Sequence, residues 1–148
     1  MANAVAVIIP WRDVGCAHRA AALAFVLAWW AEHHPSWSVG LAEIDPAAPW
    51  VKADAVNRAV AASAAAVLVV ADADCWSEGV TAAVAEAKVG RPWAVPHRQV
   101  RRLNERATAE VYAGADPAQY HHTNGLAERA YPGAPGGGLL VADRRVLL

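Results

Sequence analysis

Cysteine is scarce. Cys16 and Cys75 are the only two in 148 residues, and they fit no C-x-x-C or related metal-ligand spacing. A disulfide framework and a cysteine-held zinc site are excluded, and both residues read as free, partly buried thiols that follow strand ends. An excess of charge is also missing. The formal net charge is -1 and no Lys/Arg-rich stretch stands out, so no basic face for nucleic acid is implied. A long apolar run is absent as well. The longest, Ala20 to Ala31, ends at Glu32 and falls short of the roughly 20 residues that span a bilayer. Met1-Ala2-Asn3-Ala4 has no basic n-region, and Val5–Ile9 is too short for a signal-peptide core. The expectation is a soluble cytoplasmic protein with no membrane span.

What is present is a core-forming composition. Apolar residues make up 56% and charged ones 18%, with Ala, Val, Arg and Trp plentiful, which suits one globular domain over residues 1–148. Val5–Ile9 is a β-branched run stopped by Pro10 and reads as a central strand buried on both faces. Ala17–His33 reads as a helix, with Leu23, Val26, Leu27 and Trp30 on one stripe and Pro35 beyond its end. His33-His34 read as its solvated end. Trp37–Ile44 is a second strand closed by Asp45-Pro46, and Lys52–Ala62 a second helix with Val56, Ala59 and Val60 at helical spacing. Ala66–Ala71 is a third strand that runs straight into Asp72-Ala73-Asp74. Glu78–Val89 follows as a helix, with Ser77 as N-cap and Gly90 as C-cap. Trp93–Val95 reads as a short strand, Val100–Tyr112 as a helix, Gly114–Gly138 as an irregular stretch rich in Gly, Pro, His and Asn, and Leu139–Ala142 as a last strand. The alternation predicts an α/β fold: a mostly parallel central sheet with helices on both faces, a three-layer α/β/α Rossmann-like arrangement. Ligands of such sheets bind beyond the carboxyl ends of the strands, here Pro10-Trp11-Arg12-Asp13 and Asp72-Ala73-Asp74.

Asp-x-Asp is weak evidence by spacing alone, but its context here is informative. The carboxylates sit just after a fully apolar strand, where burial would be costly unless the chain leaves the sheet into a cleft. Two hard oxygen donors in that position suit Mn²⁺ or Mg²⁺ bound together with phosphates. The alternative is a strand-end turn in which the aspartates cap backbone amides.

At these residues the chain resembles a family. Val5-Ala6-Val7-Ile8-Ile9-Pro10 is similar to the opening strand of family 2 glycosyltransferases. Ile8-Ile9-Pro10-Trp11-Arg12-Asp13, with His18-Arg19 following, is similar to the opening donor-site segment of β-1,4-galactosyltransferases. Lys52, Asn57, Arg58 and Ala59 resemble the helix that precedes the family's metal-binding strand, and Val67–Asp74 resembles that strand with its Asp-x-Asp. Gly136-Gly137-Gly138-Leu139-Leu140-Val141, with Arg144-Arg145, resembles the acceptor-side segment. The likeness runs in order along nearly the whole chain. It implies a nucleotide-diphospho-sugar transferase (GT-A) fold and the transfer of a sugar from a UDP- or GDP-linked donor to a glycan or protein acceptor, assisted by Mn²⁺ or Mg²⁺.

Carried over, Pro10, Trp11 and Arg12 would shape the nucleotide pocket, with Arg12 offering a planar donor to phosphate or base. Asp45 would hold the base or ribose. Lys52 and Asn57 would lie on the nucleotide side. Asp72 would approach the ribose or the metal, Asp74 would be the main metal ligand, and Gly137 and Gly138 would let backbone approach the sugar. Plainer roles stand beside these: Trp11 as a core residue, Arg12 and Lys52 as solvated charges, Asn57 bonded to a loop carbonyl. His121-His122 is a minor candidate for metal or acceptor.

One part of the family's pattern is missing. An acidic residue downstream of the Gly-Gly segment, often in a Glu-Asp pair, acts there as base on the acceptor hydroxyl, and a downstream His commonly completes the metal site. Neither motif occurs before Leu148, which leaves Glu105, Glu110, Glu128 and Asp143 as candidate bases. The second expectation is therefore a non-catalytic nucleotide-sugar-binding module, or half of a split transferase completed by a homodimer or a partner chain. A dinucleotide-binding dehydrogenase is excluded because Pro10-Trp11-Arg12 stands where G-x-G-x-x-G would. A phosphatase with an aspartyl nucleophile is disfavoured by Cys75-Trp76 after the Asp-x-Asp.

Overall fold

A computed structural model describes residues 4–89, 91–120 and 138–148. The first strand, β1 (Val5–Trp11), does not stop at Pro10 but runs through it. The ladders explain why. β1 pairs in parallel with β2 (Ser38–Glu43) from Ala6↔Ser38 to Trp11↔Glu43, but with β3 (Val67–Ala71) only from Val5↔Val67 to Ile8↔Val70. The Ile44 N–H donates to the Trp11 carbonyl (2.9 Å), so Trp11 turns its peptide groups toward β2. Pro10, one residue earlier, turns toward β3, and there it has no N–H to give. The β1–β2 ladder passes Pro10 unharmed, while the β1–β3 ladder ends before it.

The sheet order is β2-β1-β3-β5-β4, with β4 at Trp93–Ala94 and β5 at Leu139–Asp143. β5 is antiparallel to both β3 and β4, so it runs against the other strands and qualifies the mostly parallel expectation. Its register, Ala71↔Leu139 to Val67↔Asp143, shows the cause: the chain enters β5 beside the carboxyl end of β3. Entry at that end dictates an antiparallel strand, and no crossover is needed.

Alternation sorts the side chains into two cores. Val5, Val7, Ile9 and Trp11 of β1 face one side, together with Val67, Val69 and Ala71. There they meet α1 (Ala17–His33) through Leu23, Val26 and Trp30, and α3 (Val80–Lys88) through Val80, Ala83, Val84 and Ala87. Ala6, Ile8 and Leu68 face the other side, against Ala55 and Val60 of α2 (Lys52–Ala62). Helices thus cover both faces of a five-stranded sheet, an α/β architecture. Both long helices have the bounds their periodicity predicts. On α2 the fully buried positions are Ala55 and Val60, with Val56 and Ala59 only partly buried.

Boundaries shift where side chains capture the backbone. α3 begins at Val80 rather than Glu78, because Ser77 Oγ accepts from the Gly79 N–H (3.2 Å) and donates to the Pro96 carbonyl (2.8 Å). Ser77 therefore holds a turn ahead of the helix and does not cap it. Gly90, expected as C-cap, lies outside the described residues, and Val89 takes that position. A short helix the sequence reading missed, α5 (Arg144–Leu147), follows β5 directly, its N-cap Asp143 accepting from the Arg145 N–H (2.9 Å).

The chain forms two compact units, Met1–Pro96 with Gly137–Leu148, and His97–Gly136. The second holds α4 (Glu105–Tyr112) and a 3-10 turn at Pro117–Gln119. α4 starts later than the predicted Val100 because Asn104 is its N-cap, with Oδ1 accepting from the Ala107 N–H (2.8 Å). Glu110 on α4 accepts from Arg106 Nε (2.8 Å) and from the hydroxyl of buried Tyr120 (2.5 Å), and these bonds, Arg106 first, hold its carboxyl below the ordinary range. Among the described residues no helix is long and apolar enough to cross a membrane.

Gly79 is a packing requirement of the first unit. A Cβ there would lie 2.2 Å from the Pro96 carbonyl oxygen, a backbone atom that cannot turn aside. Gly79→Ala is expected to lower the unfolding free energy by about 3 kcal/mol, toward the top of the overpacking range. Gly40→Ala, where a Cβ meets nothing within 4 Å, is the reference substitution. Urea unfolding of the two variants checks this, and equal stabilities would contradict so close an approach of Gly79 to Pro96.

Candidate functional site

The connection from β1 leads through α1 to β2 on one side, and β3 lies on the other side of β1. The carboxyl ends of β1 and β3 therefore lie side by side, at the edge where open α/β sheets take their ligands. Pro10 ends the β1–β3 ladder at this point.

Trp11 does not line that edge openly. It is 9% exposed and belongs to the core, and the Arg19 guanidinium lies 5.2 Å from its ring centroid. Arg12 is partly buried. Its Nη1 donates to the Ala48 carbonyl (2.8 Å), its guanidinium lies 5.6 Å from the Trp50 centroid, and its Nε is shut off from solvent without a partner among the described residues. Arg12 thus ties the end of β1 to the loop that follows β2. Asp45, exposed just beyond β2, shapes the same loop: its Oδ1 accepts from the Ala47 N–H (2.8 Å) and its carbonyl from the Ala48 N–H (3.0 Å).

This loop ends in α2, whose first residue, Lys52, forms an ion pair with the carboxylate of Asp72 at the end of β3. The segment 45–52 consequently touches both strand ends, β1 through Arg12 and β3 through Asp72. Both side chains of the Lys52–Asp72 pair keep substantial exposure, so the pair adds little to stability and leaves its charges accessible. Asn57 is exposed on α2 and does not join them. At ~100° and ~1.5 Å per residue it lies about 140° around the helix from Lys52 and about 7.5 Å further along.

Asp72 opens a turn. Its carbonyl accepts from the Cys75 N–H (3.2 Å), and its own N–H donates to the Gly138 carbonyl (2.7 Å). The Asp74 carboxylate is exposed and accepts from the Cys75 thiol (3.4 Å). Among the described residues these aspartate side chains meet Lys52 and the Cys75 thiol. Burial, then the neighbouring charges of Asp74 and Asp72, push the Cys75 thiol up to about 12, which favours its protonated form at neutral pH. Gly138 has φ +81°, and a Cβ there would come 3.0 Å from Cys75 Sγ. The glycine thus permits both a left-handed backbone and the close approach of this strand to the aspartate turn. Gly137, Glu128 and the His121-His122 pair lie outside the described residues.

Among the described residues no three or more His, Cys, Asp or Glu side chains cluster as a metal site. Asp72 and Asp74 alone do not make a closed cage. Carboxylates are the hard oxygen donors that Mg²⁺ takes alongside phosphate and water. Arg12 and Lys52 add positive charge at the same edge.

Of the candidate bases among the described residues, Asp143 belongs to the same unit as Asp72, and Glu105 and Glu110 belong to the other. Asp143 is paired in register with Val67, at the amino end of β3, and is held by Arg145; those bonds pull its carboxyl down to about 2. It stands at the opposite edge of the sheet from Asp72. Glu110 is engaged by Arg106 and Tyr120, and Glu105 lies in the first turn of α4.

Two features escaped sequence reasoning. Trp50, 45% exposed, is the accessible ring of the 45–52 loop, and only its place between Pro49 and Val51 ahead of a helix hinted at it. The end of α1 is not simply solvated. His33 stacks on Trp29 (4.5 Å between centroids) and His34 on Trp37 (3.9 Å); the pKa of His34 is lowered by burial and then by His33. No protein-family model matches the chain, and no curated protein matches it in sequence.

Proposed function

We propose that the carboxyl edge between β1 and β3 binds the diphosphate of a UDP- or GDP-linked sugar, and that the chain acts as a metal-assisted glycosyltransferase toward a glycan or protein acceptor. One observation carries this reading: the segment 45–52 ties the end of β1 to the end of β3, through Arg12 and through Lys52–Asp72, and so links two cations and the first aspartate of the turn at one strand-end edge. Arg12 offers a planar donor for phosphate oxygens, and Lys52 a compact charge. Mn²⁺ or Mg²⁺ held by Asp74 and Asp72 would neutralise the leaving diphosphate. Lys52 positions Asp72, and Gly138 brings the start of β5 against the aspartate turn.

A second reading is favoured by a specific observation. Transfer needs a base on the acceptor hydroxyl, worth typically 10²–10⁴-fold, and Asp143 stands at the wrong edge for it. The chain would then be a non-catalytic nucleotide-sugar-binding module, or half of a transferase completed by another copy or a partner chain. β2, at the sheet edge, offers such a chain its outward backbone groups.

Calorimetric titration with UDP, GDP and their sugars in Mn²⁺, followed by assay for transfer and donor hydrolysis, tests both. Binding with turnover supports the transferase. Binding without turnover supports the module. No binding by folded protein removes both readings.

A further inference from the structure

We propose that Trp50 is the stacking platform for the nucleobase, which rests on the reading of this edge as a nucleotide-diphosphate site. The sequence directs attention to Trp11 for the nucleotide pocket, but Trp11 is in the core and its ring meets Arg19. Trp50 is differently placed. It is 45% exposed, in a loop where the next residue, Val51, is also exposed. A large ring left open to water beside the strand ends has apolar area to offer a flat ligand.

The ring is also held. Arg12 lies over it at 5.6 Å, and the same guanidinium is tethered to the Ala48 carbonyl, two residues upstream. The Asp45 side chain and carbonyl fold the start of the loop by accepting from Ala47 and Ala48. Two further residues along stands Lys52, in its ion pair with Asp72. Successive residues advance the chain by at most about 3.6 Å, so the Cα atoms of Trp50 and Lys52 are no more than about 7 Å apart. A base on Trp50 therefore leaves its diphosphate within reach of Lys52 and the aspartate turn, as a nucleoside diphosphate requires. Stacking on one ring is tolerant of base identity, because every base has a π-face. Trp50 thus supplies affinity for nucleotides as a class, and the choice among bases falls to polar groups nearby.

The full-length protein and its Trp50→Ala and Trp50→Phe variants are titrated in Mn²⁺ with UDP, GDP, UDP-glucose and inorganic pyrophosphate. Trp50→Ala is expected to weaken UDP, GDP and UDP-glucose at least tenfold and to leave pyrophosphate unchanged, while Trp50→Phe stays within about threefold of the unaltered chain. UDP bound equally by Trp50→Ala and the unaltered chain overturns the stacking role while the nucleotide reading survives. Pyrophosphate weakened by the same factor as UDP overturns it too, since the ring would then only hold the loop. Loss confined to UDP-glucose assigns the ring to the sugar and overturns the proposal. An unaltered chain that binds none of these ligands defeats the stacking role and the nucleotide reading together.

Discussion

Truncation of Trp30 to alanine is expected to lower the unfolding free energy by about 3–5 kcal/mol, the range for a large aromatic removed from a packed core. Trp30 is 0% exposed and lies where α1 meets β1 and β3. It is also the inner member of a ring cluster, 5.0 Å from Trp29, 5.5 Å from His34 and 6.2 Å from Trp37. Its deletion would leave a cavity and strip contacts from those three rings at once. Small domains are stable by only about 5–15 kcal/mol, so this one change removes a large share. A second variant separates volume from polarity. The indole Nε1 is buried with no partner among the described residues, and an unpaired buried donor costs about 1–3 kcal/mol. Trp30→Phe discards that donor and keeps most of the apolar ring, so its loss should be less than half that of Trp30→Ala. Urea unfolding followed by circular dichroism reads both. Equal losses would mean that the indole N–H contributes a bond, and that the cluster depends on it.

The contrast between α1 and β1 explains what was legible in the sequence. The bounds of α1 and α2 could be read because each combines sustained periodicity with a loop-forming proline at one end: Pro35 after the first, Pro49 before the second. The end of β1 could not. Whether a proline stops a strand depends on which neighbour its missing N–H would face, and pairing is a tertiary fact. Likewise the direction of β5 follows from where the chain re-enters the sheet at Gly138, and local pattern does not encode that. At the candidate site, the Asp-x-Asp turn was legible because charge directly after an apolar strand has few places to go. Trp11 and Trp50 were not distinguishable by type. Parity along β1 sends Trp11 inward with Val5, Val7 and Ile9, while the loop tethered by Arg12 leaves Trp50 outside. The partnership of Lys52 with Asp72 spans 20 residues and appears only once α2 and β3 are placed.

The two aspartates of the turn are expected to respond unequally. Asp72 already has a cation beside it, Lys52, whereas Asp74 is exposed and, among the described residues, accepts from the Cys75 thiol. Asp74 thus carries the carboxylate with less local compensation, and a divalent ion at this turn would draw most on it. Asp74→Asn should weaken Mn²⁺-dependent binding of UDP or GDP by at least tenfold, about 1.4 kcal/mol or more. Asp72→Asn removes a ligand too, but it also releases the Lys52 ammonium toward the phosphates. Its loss in Mn²⁺ should be smaller, and its binding in EDTA should rise above that of the unaltered chain. Lys52→Met adds a check: it leaves Asp72 uncompensated, so metal-dependent binding should persist while binding in EDTA falls. Calorimetry with and without Mn²⁺ reads all three. Asp74→Asn binding as tightly as the unaltered chain in Mn²⁺ would separate the turn from any metal role. Asp72→Asn losing more than Asp74→Asn, with no gain in EDTA, would reverse the ranking and make Asp72 the principal ligand, with Lys52 only its structural partner.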